Sequence, residues 1–240
     1  MIPRQDSFGT YERSPWRSHS FRDRSDAGKQ LGRALAHLRA EHPLVLGIPR
    51  GGVPVALEVA RALDAELDVI VARKLGVPGQ EELAMGAIAA DGTVYINDQV
   101  RAMIDVSDAE LEQIARLKRK EAAQREQRFR ADLPALRVAG RTVIVVDDGL
   151  ATGATMRVAV RALQALQPKK LVVAVPVGAP ETCERIALEA DELVCPHRPE
   201  PLFSVGEHYR DFGQTSDAEV EHILREHRSA RGTKAKLGGA

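Results

Sequence analysis

Val143-Ile144-Val145-Val146-Asp147-Asp148-Gly149-Leu150-Ala151-Thr152-Gly153-Ala154-Thr155 decides how this chain is read. Four β-branched residues in succession, without polar alternation, suit a strand buried on both faces. Two adjacent carboxylates follow, then small residues and hydroxyls. Beyond them Met156, Ala159, Val160, Leu163 and Leu166 recur at helical spacing, with Arg157, Arg161 and Gln164 on the other face. Strand, short loop and amphipathic helix in that order form the unit of an open α/β sheet. Ligands of such sheets sit at the carboxyl edge of the strands, where this loop falls.

The loop has its own chemistry. Gly149 and Gly153 allow close backbone approach. The amides of Ala151, Thr152, Gly153, Ala154 and Thr155 can converge on an anion at a helix start, and the two threonines add hydroxyl donors. That is a cradle for a phosphomonoester. Asp147 and Asp148 only accept hydrogen bonds when ionised, so they suit a vicinal diol or a divalent cation approached through water or sugar hydroxyls. Phosphate and diol together describe a ribose phosphate.

Outward from this segment, Leu44-Val45-Leu46-Gly47-Ile48, Val69-Ile70-Val71-Ala72 and Leu171-Val172-Val173-Ala174-Val175 are further short apolar runs, and Val53, Leu57, Ala60 and Leu63 form a second helical stripe. The fold class is α/β, with a mainly parallel sheet flanked by helices. Residues 73–106 break the alternation: glycines and Pro78 surround two short strand-like runs, 86–90 and 93–96, which predicts a mobile loop or hairpin. Ser107-Asp108-Ala109-Glu110 is a capping box opening a largely solvated helix to about Ala131, before Pro134. The expected organisation is a loose extension over 1–20, a domain over 21–227 with a small hood at 196–213, and a flexible tail over 228–240.

Composition narrows the function classes. The 240 residues carry 34 basic and 34 acidic side chains, so no global field gathers polyanions and nucleic acid is not the default partner. No apolar run is long enough to span a bilayer, and the N-terminus lacks the apolar core of a secretory signal. Cys183 and Cys195 are too few for a zinc cluster and give no disulfide framework, so the chain reads as reduced and cytoplasmic.

The segment 143–155 closely resembles the ribose-phosphate motif of the type I phosphoribosyltransferases. Ile48-Pro49-Arg50-Gly51-Gly52 resembles that family's pyrophosphate loop, and 72–86 its flexible catalytic loop, most nearly in adenine-type members. The likeness runs from about Phe21 to Phe212 and is nearest to a subgroup whose acceptor is unassigned. It implies Mg²⁺-dependent transfer of a 5-phosphoribosyl group from phosphoribosyl pyrophosphate to a nitrogen base, with release of pyrophosphate. It also implies a cis Pro49–Arg50 peptide, leaving-group contacts from Arg50, Gly51 and Gly52, and catalytic roles for Arg73, Lys74 and Glu82. A homo-oligomer, in the first place a dimer, is the expected assembly.

One position departs from the family. Members that act on 6-oxopurines carry an Asp where this chain has Ala151, and a methyl group cannot move a proton. Proton transfer then falls to the loop, where Glu82 is the candidate and a solvent-facing residue beside Glu81 the plainer reading. Adenine or a non-purine base becomes the favoured acceptor. In the hood, Phe203 and Tyr209 are the candidates to stack on it, with core packing the alternative for Phe203 and Phe212. Two other functions compete: a regulator that keeps the site as a phosphoribosyl pyrophosphate sensor, and a non-catalytic interaction module.

Overall fold

The computed structural model describes residues 21–104, 106–130 and 136–237, without the side chains at 81, 82 and 233–237. The expected extension over 1–20 lies outside these residues, as do 238–240. The strands are β1 (Leu44–Gly47), β2 (Glu66–Val69), β3 (Ala72–Val77), β4 (Gln80–Ala89), β5 (Val94–Ile96), β6 (Thr142–Val146), β7 (Lys170–Ala174) and β8 (Glu192–Val194). The helices are α1 (Arg24–Ala34), α2 (Gly52–Leu63), α3 (Asp98–Ala102), α4 (Asp108–Arg130), α5 (Ala154–Ala165), α6 (Pro180–Ala187) and α7 (Asp217–Leu237).

Five strands form a parallel sheet in the order β2-β1-β6-β7-β8. Its central strands bury both faces, which is why they read as unbroken apolar runs. Leu44, Leu46, Val143, Val145, Leu171 and Val173 point towards α5 and α6, while Val45, Ile144, Val146, Val172 and Ala174 join α1, α2 and α7 in a second core. The chain leaves β1 in one direction across the sheet and β6 in the other. The strand order therefore reverses between β1 and β6, and the loops after these two strands open on the crevice there.

Three differences from the sequence reading have physical causes. The run at 69–72 is not one strand: Val69 ends β2, whereas Ala72 begins a second sheet, β3-β4-β5, which is antiparallel. Of the two readings of residues 73–106, mobile loop or hairpin, the structure has the hairpin, β4–β5, and extends it with β3 into a three-stranded sheet. Leu75, Val77, Met85 and Ile88 form their own core, with Ile114 of α4 packed against it. Gly86 stands in mid-strand, where a Cβ would collide with the Tyr95 carbonyl oxygen. Finally, the chain stays helical past 228 to Leu237, because α7 is tethered: His227 Nε2 bonds the Ala65 carbonyl at 3.0 Å and Arg231 that of Asp64 at 2.6 Å.

The capping box at α4 forms as read, with Ser107 N donating to Glu110 Oε2 at 3.0 Å and Glu110 N to Ser107 Oγ at 3.3 Å. Beyond β8, the hood closes on the segment that leads into α1. Phe21 N donates to the His208 carbonyl at 2.7 Å, and Arg210 N to the Phe21 carbonyl at 2.9 Å.

Candidate active site

β6 delivers Asp147 and Asp148 to the crevice, and each has one oxygen already engaged. Asp147 Oδ1 accepts from the Asp148 amide at 2.8 Å, and Asp148 Oδ2 from Arg24 Nε at 2.8 Å. Burial first, and Asp148 second, push Asp147 well above the usual carboxylate range, with Arg24 and Lys74 opposing. Asp148 is raised by burial against the pull of Arg24. The pair is a confined, high-energy acceptor set that an incoming diol or hydrated cation would relieve.

The loop after it is anchored on every side. Leu150 N donates to the Val177 carbonyl at 2.9 Å and its own carbonyl accepts from Ala179 N at 2.9 Å. Thr182 Oγ1 of α6 donates to the Ala151 carbonyl at 2.7 Å. Gly153 then turns the chain with φ 77°, a left-handed conformation that glycine takes at no steric cost, and α5 begins at Ala154. Arg157 N to the Gly153 carbonyl, 2.9 Å, closes the first turn, so the amides before it face outward without intrahelical acceptors. Ala151 and Thr152 are exposed and Thr155 half-buried, which leaves the expected cradle open to a phosphate.

The Pro49–Arg50 peptide is cis, and the two glycines after it pass against the carboxylates. A Cβ on Gly51 would collide with Asp148 Oδ2, and one on Gly52 would stand 3.0 Å from Asp147 Oδ1. Only glycine fits. The Arg50 guanidinium lies 4.0 Å from Asp217 of α7, which also holds Arg125 at 3.2 Å.

Between the two sheets runs a cleft of about 520 Å³, lined by Ile48, Pro49, Asp147 and Thr155 on one side and Arg73, Lys74, Gly76, Val77 and Pro78 on the other. It brings the β3 cations and the ribose-phosphate segment to one space. Lys74 is exposed, whereas Arg73 Nη2 pairs with Glu121 Oε2 at 2.8 Å. Burial works against that carboxylate, but the bonds from Arg73 and Lys118 hold it below its ordinary value. Glu82 belongs to β4, and its side chain lies outside the described residues.

The aromatic assignments divide. Phe203 is 80% exposed and packs in no core. Tyr209 is buried, with its ring against Phe21 and Phe212 at centroid distances of 5.3 and 5.0 Å, and its hydroxyl donates to the Asp148 carbonyl at 2.6 Å. Its faces are taken, so Tyr209 supports Asp148 instead of stacking on a base. Arg24 went unrecognised in the sequence. Besides gripping Asp148, it donates to the Gly213 carbonyl at 2.7 Å and lies 4.0 Å over the Phe212 ring, which ties the hood to the carboxylates. The only sequence sign of it is a cation one residue past the helix cap Asp23, a weak signal for a contact made 124 residues away.

Among the described residues no group of three or more His, Cys, Asp or Glu could hold a metal ion. The second oxygens of Asp147 and Asp148 fit a Mg²⁺ that arrives on a substrate's phosphates and keeps its waters, rather than a preformed cage. No described helix is long and apolar enough to cross a membrane.

A family model described as "Phosphoribosyl transferase domain" matches residues 24–210. Mycobacterium tuberculosis proteins from two strains, each named "Putative phosphoribosyl transferase", are 47% identical over 209 residues, covering 87% of this chain and 47% of their own. The chain thus spans about half the length of these relatives. The crystal structure of the protein TT1426 from Thermus thermophilus superposes with a TM-score of 0.73 at 44% identity, covering 86% of this chain and 98% of that one.

Proposed function

Because the chain belongs to the phosphoribosyl transferase domain family, we propose that it transfers the 5-phosphoribosyl group of phosphoribosyl pyrophosphate to a nitrogen base and releases pyrophosphate. The observation that carries this is the cleft beside the sheet's switch point, which joins Asp147 and Thr155, at the two ends of the carboxylate and phosphate-loop segment, to the cations of β3. The loop amides and Thr155 take the 5-phosphate. Asp147 and Asp148 take the ribose hydroxyls and keep negative charge near the anomeric carbon as it becomes cationic. Gly51 presents its amide to the leaving group and Gly52, whose own amide donates to the Ile48 carbonyl at 3.1 Å, keeps the turn tight, while Lys74, Arg73 and Arg50 offset the growing negative charge. Asp147 and Asp148 are the residues that would hold a Mg²⁺, which would supply further charge neutralisation for the leaving pyrophosphate.

Arg73 must leave Glu121 to reach a substrate, so filling of the cleft breaks an ion pair between the β3–β4 hairpin and α4. The exposed Ala151 leaves no carboxylate beside the base, which argues against hypoxanthine and guanine and for adenine or a non-purine acceptor. Pyrophosphate release, read across a panel of bases with phosphoribosyl pyrophosphate and Mg²⁺, tests this. Release with adenine or a non-purine base is expected. Binding of phosphoribosyl pyrophosphate without turnover on any base would instead support the sensor reading, which the engagement of Arg73 by Glu121 and of Arg50 by Asp217 favours. No binding at all would overturn both.

A further inference from the structure

The two cysteines, far apart in function from anything above, meet behind the phosphate loop. Cys183 lies in α6 and is fully buried; Cys195 follows β8 at the start of the hood and is 8% exposed. Both sulfurs crowd Gly178, at 2.7 Å and 3.3 Å from where a Cβ would stand there. Glycine at 178 is what lets them meet. The two thiols act on each other: contact with Cys195 lowers Cys183 against the effect of burial, and contact with Cys183, with burial, raises Cys195.

Their place gives the pair a consequence. Thr182, adjacent to Cys183, makes the hydrogen bond to the Ala151 carbonyl, and its Cγ2 is 2.8 Å from the position of a Cβ on Gly153. The first turn of α6 is thus the wall behind residues 151–153. On the other side, Cys195 Sγ reaches the His197 carbonyl at 3.2 Å, and that carbonyl also accepts from Gly178 N at 3.0 Å, so the second sulfur belongs to the root of the hood.

We propose that Cys183 and Cys195 are an oxidisable dithiol through which a hydroperoxide acts on the phosphate loop. One of the two sulfurs attacks hydrogen peroxide, breaking the O–O bond, and becomes a sulfenic acid with loss of one water. The other sulfur then attacks it, expelling a second water as the S–S bond closes. Two thiols are oxidised by two electrons and one peroxide is reduced to two waters. A disulfide needs its sulfurs about 2.05 Å apart, well inside non-bonded contact, so closure draws the first turn of α6 towards the hood and Thr182 away from Ala151.

The test treats reduced protein with hydrogen peroxide. Intact and peptide mass spectrometry should show loss of two hydrogens and a Cys183–Cys195 crosslinked peptide, reversed by dithiothreitol. Hydrogen exchange over 150–155 should rise, and affinity for phosphoribosyl pyrophosphate should fall about fivefold or more. Cys195→Ser and Cys183→Ala should show none of these responses, and either one suffices if the other does not fold. Thiols that survive peroxide, oxidation that stops at a single sulfur, or a crosslink that leaves exchange over 150–155 unchanged would each overturn the proposal. Only the affinity readout rests on the proposed function: reduced protein that fails to bind phosphoribosyl pyrophosphate would refute that reading while mass and exchange still decide this one.

Discussion

The phosphate loop and the β3–β4 hairpin face each other across one cleft and are held in opposite ways. The loop grows from the most buried strand of the parallel sheet, and β7, α6 and the hood each bond its backbone or its carboxylates. The hairpin belongs to a separate three-stranded sheet with a small core of its own, and its cation Arg73 is restrained by an ion pair at the surface of α4. Surface pairs contribute little, about 0–1 kcal/mol. Groups that define a sugar phosphate therefore stand preformed, and groups that answer charge on a leaving group stand where they can move.

The comparison breaks most visibly at the carboxylates. Asp147→Asn with Asp148→Asn should cost about 100-fold or more in affinity for phosphoribosyl pyrophosphate, since charged hydrogen bonds contribute about 1.5–3 kcal/mol each. The melting temperature should change little, because relief of the repulsion between two confined carboxylates offsets the loss of the part-buried Arg24–Asp148 pair. Calorimetric titration and thermal melts of the same samples check both halves. Unchanged affinity would mean that the anchored side does not recognise the sugar.

On the hairpin the order of effects reverses. Arg73→Ala with Lys74→Ala should lower turnover by about 10²–10³-fold, the usual scale for a lost transition-state contact, with far less change in affinity than the carboxylate pair shows. Equal losses in both parameters would place these cations in ground-state binding. Mobility sharpens the same contrast. In the free protein, hydrogen exchange over 76–92 should be faster than over 150–155, and it should slow when phosphoribosyl pyrophosphate binds. Met85→Ala, which empties the centre of the hairpin core, should cost about 2–5 kcal/mol locally and speed exchange across β3–β5 without reaching β6.

The same contrast explains what the sequence discloses. β6, its loop and α5 are contiguous, so buried strand, short loop and amphipathic helix stand within one window and read correctly. The sequence leaves loop and hairpin open over 73–106 because glycines and Pro78 dominate the local pattern, whereas the apolar set Leu75, Val77, Met85 and Ile88 finds its partners on α4, well downstream. Arg24 and Tyr209 are invisible for a related reason. One precedes Asp148 by 124 positions and the other follows it by 61, and no periodicity links residues that meet only because the hood folds back on the N-terminal segment. Tyr209 looked like a stacking aromatic because exposure cannot be read from residue type.

The smallest effect comes from the far end of α7, whose near end sets Asp217 against Arg50. His227 anchors that helix by donating Nε2–H to the Ala65 carbonyl, and burial, with Arg231 and Arg61 adding to it against the Ala65 bond, holds its pKa below the ordinary 6.5. A histidine depressed in the folded state binds fewer protons there than in the unfolded chain. Its contribution is therefore complete above the unfolded value and is lost as pH falls through 6.5 towards the folded value. His227→Gln keeps an N–H donor for Ala65 and removes the titration, so its stability should be flatter with pH in that window, by denaturant melts at several pH values. Acid loosening of α7 should also quicken exchange around 49–52, through Asp217 and Arg50, before it touches 150–155. Should both segments loosen together below 6.5, the anchored loop would depend on α7, and the division between a preformed side and a movable side would have to be redrawn.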